Sequence, residues 1–144
     1  MKFRYFKFPL PERSPFFGVS ILKPIIPLGI AVRETSLQYA ALIDSGADFC
    51  IFDAEIGEAL GLDVRSGTRT SFGGIQETHP ADAFLHEVTL VIGGWHHTTT
   101  VGFSYGIAQH GYGILGQKGF FDIFIVKFDL LKEEIELKER PQPH

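Results

Sequence analysis

Cysteine is nearly absent from this sequence, since Cys50 is the single one in 144 residues. One cysteine cannot form an intramolecular disulfide, so we expect a protein of a reducing compartment.

Basic residues are also outnumbered, with 13 Lys and Arg against 17 Asp and Glu and a formal net charge of −4. Because no basic field is available to hold a phosphate backbone, we predict no nucleic-acid partner.

Long hydrophobic runs are missing as well. The apolar stretches fall far short of the ~20 residues that cross a bilayer, and no continuous apolar segment of a signal peptide follows the charged residues 1–4. We therefore predict a soluble, cytoplasmic protein without a membrane partner. The length of 144 residues and the hydrophobic content of 44% favour one globular domain with a core.

Short apolar or alternating segments, separated by glycine and proline, make up most of the chain, which indicates strands rather than helices. The best helix is residues 53–61, with Asp53 as its cap and Gly61 at its exit. We predict an all-β protein, a small closed barrel with one or two short helices. Its predicted strand segments are 28–34, 36–43, 64–72, 75–85, 86–92, 95–103, 122–128 and 134–138.

One carboxylate stands at the end of an apolar run. Asp44 follows Ala-Leu-Ile at 41–43 and precedes Ser-Gly-Ala at 45–47, so we expect it at the end of a buried strand that leaves through a small-residue turn. An unpaired buried carboxylate is costly. Asp44 is therefore either hydrogen-bonded into its turn or used chemically, and as a bare tripeptide Asp-Ser-Gly is most often a structural Asx-turn.

Three segments together resemble the aspartic proteases, in the single-copy, retropepsin-like form. The run Leu-Ile-Asp-Ser-Gly-Ala at 42–47 resembles their catalytic loop. Gly-Ile-Leu-Gly at 113–116 resembles the apolar-apolar-glycine segment that packs beside that loop, and a short helical turn at 117–121 should follow. Residues 71–75, with two glycines, fall where the family has its flexible flap.

The resemblance implies an aspartic endopeptidase that hydrolyses peptide bonds. Such chemistry needs two neighbouring carboxyl groups, one ionised and one protonated, and the chain has one such motif, at Asp44. A symmetric homodimer would supply the second as Asp44 of the other copy. The pair would act on a water molecule as general acid and base, with no metal and no cofactor.

Further site residues follow from the resemblance alone. Ser45 would hydrogen-bond across the dimer to support the catalytic loop, Gly46 would admit the substrate backbone, and Asp48 would contact the substrate main chain. Gln117 departs from the family, because viral relatives commonly have arginine there to support the residue equated with Asp48. The full set of predicted substrate-binding residues is Leu42, Ala47, Asp48, Phe72, Gly73, Gly74, Ile75, Tyr112 and Ile114.

The chain divides into an N-terminal arm at 1–15, a protease-like domain at 16–139 and a loose tail at 140–144. The arm shows strand-like alternation that its prolines should end, and it is either an edge strand laid over the domain or an arm that crosses to a partner subunit. Two further hypotheses stay open for the function. The fold could serve as a catalytically silent dimerisation or peptide-binding module, or the chain could be a monomeric small-ligand β-barrel.

Two other features of the sequence are expected to be structural. His96 and His97 are adjacent on a predicted strand and point to opposite faces, so a solvated hairpin explains them better than a metal site. Cys50 has no paired histidine at a recognisable spacing, so we expect a small buried apolar residue rather than a nucleophile.

Overall fold

The structure is a computed structural model that describes residues 1–73 and 81–141. Within these residues it is mostly strand with few short helices, and the all-β prediction is confirmed. The elements are β1 Lys2–Arg4, β2 Phe6–Ser14, β3 Gly18–Lys23, β4 Ile25–Val32, β5 Thr35–Ile43, β6 Ile51–Asp53, α1 Ala54–Ala59, a 3₁₀ helix Val64–Ser66, β7 Thr68–Phe72, β8 Ala81–Ile92, β9 Trp95–Ser104, a 3₁₀ helix Tyr105–His110, β10 Gly113–Leu115, β11 Phe124–Asp129 and β12 Glu134–Glu139.

Seven strands form the main sheet, in the order β4-β5-β10-β6-β9-β8-β7. An additional pairing of β4 with β8 closes six of them into a ring. The pairs β5–β10 and β6–β9 are parallel. The ring surrounds a core that includes Ile30, Phe52, Leu90 and Phe103, and the burial of these side chains is the main force that holds the strands together.

Two smaller sheets flank the ring. β1, β12 and β11 form a three-stranded sheet, which we call the terminal sheet, and β2 pairs with β3 in a two-stranded sheet, which we call the N-terminal hairpin. The expectation that prolines end the first strand is wrong, because β2 runs through Pro9 and Pro11 to Ser14. Its regular register stops at Pro9, and an irregularity separates Pro9 from Ser14, which accommodates residues that cannot donate to a ladder.

The local sequence signals give the expected elements in several places. Asp53 caps α1, where its side chain accepts from the backbone N–H of Glu55 at 3.0 Å. Gly93 and Gly94 both have positive φ in the tight turn from β8 to β9, as glycine allows. No helix within the described residues is long and apolar enough to cross a membrane.

Other elements differ from the sequence-based expectations. β8 is one continuous strand rather than two, because it pairs with β7 along its first part and with β9 along most of its length. Residues 104–112, which follow the predicted strand 95–103, contain the 3₁₀ helix Tyr105–His110, which the Ser104 side chain caps by accepting from the N–H of Gly106. Residues 117–121 form successive hydrogen-bonded turns rather than a regular helix.

Candidate active site

Asp44 lies directly after β5, at the C-terminal ends of the parallel strands β5 and β10. Its backbone N–H donates to the carbonyl of Leu115 at 2.9 Å, and the N–H of Ile43 donates to the carbonyl of Pro24 at 2.9 Å. Because β10 pairs with β5 in register Ile43 to Leu115, the position of Asp44 is fixed from both sides. The predicted packing of 113–116 beside the Asp44 loop is therefore present.

The Asp44 side chain also shapes its own turn. Its Oδ1 accepts from the N–H of Gly46 at 2.9 Å, and the backbone carbonyl of Asp44 accepts from the N–H of Ala47 at 3.2 Å. A Cβ at position 46 would lie 3.2 Å from this Oδ1, a tight contact, so glycine lets the turn close on the carboxylate. The carboxylate is half-buried, oriented by a backbone donor and still open to solvent.

The far side of the loop is held by Gln117. Its backbone N–H donates to the carbonyl of Ala47 at 2.8 Å, and its side-chain amide donates to the carbonyl of Ser45 at 2.9 Å. A further bond runs from the N–H of Lys118 to the carbonyl of Asp48 at 3.0 Å. The residue that departs from the family pattern thus contacts the loop at Ser45, through a neutral hydrogen bond. The side chain of Ser45 is exposed.

Cys50 lies beneath the same loop and is fully buried. Its Sγ accepts from the N–H of Gly116 at 3.4 Å and contacts the carbonyl of Lys118 at 3.7 Å. Burial raises the pKa of the thiol to about 12, so it stays protonated at neutral pH. These contacts agree with a small structural residue that supports the loop rather than with a nucleophile.

A cleft of about 390 Å³ opens over Asp44. It brings together most of the sequence-predicted residues, although they come from separate parts of the chain. Gly74 and Ile75, the other two predicted flap residues, lie outside the described residues. The predicted residues that line the cleft are Asp44, Gly46, Ala47, Asp48, Phe72, Gly73 and Ile114.

Several lining residues were missed by sequence reasoning. Four belong to the 3₁₀ helix Tyr105–His110. Their position in the sequence could have indicated them, because residues just before 113 must lie close to Asp44 if 113–116 packs beside it. Phe49 and Ile51 follow the Asp44 loop, and Ala81 starts β8. The missed residues are Phe49, Ile51, Ala81, Gly106, Ile107, Gln109 and His110.

Leu42 and Tyr112 are not among the described residues that line this cleft. Leu42 is half-buried on β5, in register with Ile25 of β4 and Ile114 of β10. Tyr112 lines an adjoining pocket of about 410 Å³, together with Phe8 and other apolar residues, and His110 lines both spaces. A role for Leu42 or Tyr112 in substrate binding stays a prediction.

The two histidines of the β8–β9 hairpin lie in different environments. His96 is exposed, whereas the His97 ring packs with its centroid 4.9 Å from that of Phe124. Among residues 1–73 and 81–141, no three side chains of His, Cys, Asp or Glu converge in a way that could hold a metal ion.

No protein-family model and no curated protein sequence matches the chain. Among solved structures, the crystal structure of a retropepsin-like aspartic protease from Rickettsia conorii matches 77% of this chain and 88% of its own, with a TM-score of 0.55 and 16% identity. The chain has the retropepsin-like fold. The EIAV protease complexed with the inhibitor HBY-793 matches 66% of this chain and 82% of its own, at 21% identity and a TM-score of 0.49.

The retropepsin-like fold predicted from the sequence is thus confirmed. At 16% sequence identity, the match to the Rickettsia conorii structure establishes the fold alone, because one fold can carry different functions. The activity depends on the chemistry of the Asp44 site itself.

Proposed function

We propose that the protein is a homodimeric aspartic endopeptidase in which Asp44 of each copy supplies one half of a catalytic pair. The observation that carries the proposal is the setting of Asp44, a half-buried residue directly after β5 that lines a cleft: its backbone N–H donates to Leu115, and its carboxylate accepts from Gly46. The retropepsin-like fold supports it, since the matched Rickettsia protein is described as an aspartic protease.

The chemistry follows from placing two such carboxyl groups at a two-fold axis. Two carboxyl groups a few ångströms apart cannot both ionise easily, because their negative charges repel each other. The pair therefore retains one proton at mildly acidic pH. The ionised Asp44 takes a proton from a water molecule, and the protonated Asp44 of the partner polarises the scissile carbonyl. The carboxylates and water suffice, without a covalent intermediate, a metal or a cofactor.

The cleft supports a peptide substrate. Ile51, Ile107 and Ile114 offer apolar contacts, while Asp48 and His110 offer polar ones, as side-chain pockets along an extended peptide require. Gly46 has no side chain to block the approach of a substrate backbone. Phe72 and Gly73, at the end of β7, form the described part of a flap that would close over the peptide and exclude water.

The runner-up is a catalytically silent module that binds peptides or dimerises. The bond from the N–H of Gly46 to Asp44 Oδ1 favours it, because this Asx-turn gives the carboxylate a structural purpose that needs no chemistry.

Cys50 is buried and unpaired, which agrees with a reducing compartment for either function. We propose that the protein is located in the cytoplasm.

Cleavage of an unfolded-protein peptide mixture separates the two functions. We would compare wild type with Asp44→Asn at pH values from about 4 to 7, because a carboxyl pair is more readily protonated on the acidic side of neutrality, and read the products by mass spectrometry. Asp63→Asn is the matched control, because Asp63 is exposed and outside the cleft. Products that vanish in Asp44→Asn alone establish the protease. If folded, dimeric wild type makes no products, the silent module replaces it.

A further inference from the structure

The N-terminal hairpin is the element with the least support from the rest of the chain. β2 and β3 pair with each other, and within the described residues neither strand joins the ring or the terminal sheet. A two-stranded sheet by itself is at best marginally stable in water. The hairpin is therefore expected to gain stability from a surface that a single copy does not provide.

Its turn presents two aromatic rings in a fixed arrangement. The side chain of Ser14 accepts from the N–H groups of Phe16 and Phe17, both at 3.1 Å. The two rings stand perpendicular with centroids 4.8 Å apart, and Phe16 is 86% exposed. Phe6 and Val19 of the same hairpin are exposed as well. Such an exposed apolar surface on a hydrogen-bonded turn is typical of an interface anchor.

The base of the hairpin lies beside the candidate active site. Lys23 ends β3, and the carbonyl of the next residue, Pro24, accepts from Ile43, directly before Asp44. On the other strand, Phe8 packs against Tyr112 with ring centroids 6.4 Å apart, and the Lys23 ammonium lies 4.2 Å from the centre of the Phe8 ring. The base of the hairpin is thus attached to the strand that ends at Asp44.

The terminal sheet carries a surface of matching chemistry. The turn between β11 and β12 exposes Leu130 and Leu131, the latter with 97% of its surface exposed, and Phe128 lies near it at the end of β11. Residues 124–139 include five acidic and three basic side chains, whereas residues 6–23 include three basic and one acidic. Opposite charge around two apolar patches favours their association over that of either patch with itself.

We propose that the N-terminal hairpin of each copy docks on the β11–β12 hairpin of a second copy. A two-fold axis makes this contact twice. The N-terminal hairpin of each copy is then held by the other copy, and the exposed apolar side chains of both hairpins are covered. The inference rests on the proposed function, because the incomplete pair at Asp44 is what identifies the occupant as a second copy of this chain. It goes further by naming the two surfaces that hold the dimer.

Sedimentation over a range of protein concentrations tests the contact without reference to activity. We would compare wild type with Phe16→Ser/Phe17→Ser in the hairpin and with Leu130→Ser/Leu131→Ser in the receiving surface. Trp95→Ser is the matched control, because Trp95 is an exposed aromatic residue at the start of β9, outside both surfaces. Both double variants should raise the dissociation constant of the dimer about tenfold or more, and Trp95→Ser should leave it unchanged.

A mixture of the two double variants gives the sharper result. A mixed dimer pairs an intact hairpin with an intact receiving surface on one side, so mixing should produce more dimer than either variant forms alone. If both variants dimerise like wild type, or if mixing gives no gain, the docking contact is wrong while the proposed protease still stands. If wild type stays monomeric at every concentration, the homodimeric active site fails together with the contact.

Discussion

The side-chain amide of Gln117 donates to the backbone carbonyl of Ser45 at 2.9 Å, which ties the turn after β10 to the residue that follows Asp44. A second bond, from the N–H of Gln117 to the carbonyl of Ala47, runs beside it at 2.8 Å. The Asp44 loop is therefore held between β10 on one side and Gln117 on the other, so substitution at 117 should affect the site without contact with substrate.

Gln117→Met keeps the size of the side chain and removes the donor. Because a neutral hydrogen bond contributes about 1 kcal/mol, we expect cleavage to slow about fivefold through poorer placement of Asp44. Steady-state kinetics would show the loss mainly in kcat. Gln38→Met is the control, because Gln38 is also exposed but lies on β5 away from the loop. Equal kinetics for the two variants would show that the Gln117 bond does not position the loop.

Gly116→Ala should destabilise the fold. An added Cβ would overlap the backbone carbonyl of Phe49 and come within 2.8 Å of the carbonyl oxygen of Ala47. Backbone atoms cannot rotate away as a side chain can, so we expect a loss of about 1–3 kcal/mol in the free energy of unfolding, measured by chemical denaturation. Gly106→Ala is the control, since its nearest neighbours would be 3.5 Å away. Equal unfolding midpoints would contradict the close packing of the two segments.

Alkaline pH should weaken the fold through a buried group, Cys50, and a half-buried one, Tyr39. Burial raises the pKa of Cys50 from its ordinary 9.0 to about 12, and that of Tyr39 from 10.0 to about 12. Between pH 9 and 12 the unfolded chain therefore binds fewer protons than the folded one, and the free energy of unfolding falls as pH rises. Below pH 9 neither group contributes to the pH dependence.

Cys50→Ala and Tyr39→Phe provide the check on that assignment. Each variant lacks one ionisable group, so its free energy of unfolding should fall less steeply from pH 9 to 12 than that of wild type, as denaturation at each pH would show. An unchanged slope in both variants would assign the alkaline loss to other residues.

The sequence predicted the parts of the fold that depend on local chemistry. Asp53 as a helix cap, the tight connection between the predicted strands 86–92 and 95–103, and the small-residue turn at Asp44 all form as expected, because each depends on residues close in the chain. The resemblance of residues 113–116 to the family segment also predicted one long-range contact, the packing of this segment beside the Asp44 loop. The role of Gln117 was not predictable, since its bond to Ser45 spans 72 positions of the sequence.

Three other features depended on contacts that the sequence does not display. The 3₁₀ helix Tyr105–His110 lines the cleft only because β10 returns beside β5. β2 continues past Pro9 and Pro11 because its pairing is irregular there and confined to β3. β8 remains one strand through residue 85 because β7 and β9 both pair with it.

The central claim is that two copies of Asp44 share one active site, and mixing wild type with Asp44→Asn tests it most directly. After the subunits have exchanged, cleavage would be measured at a constant total concentration while the wild-type fraction is varied. If both carboxyl groups are needed, activity falls with the square of the wild-type fraction, because only wild-type pairs are active. A linear fall would mean that each chain works alone and would contradict the account.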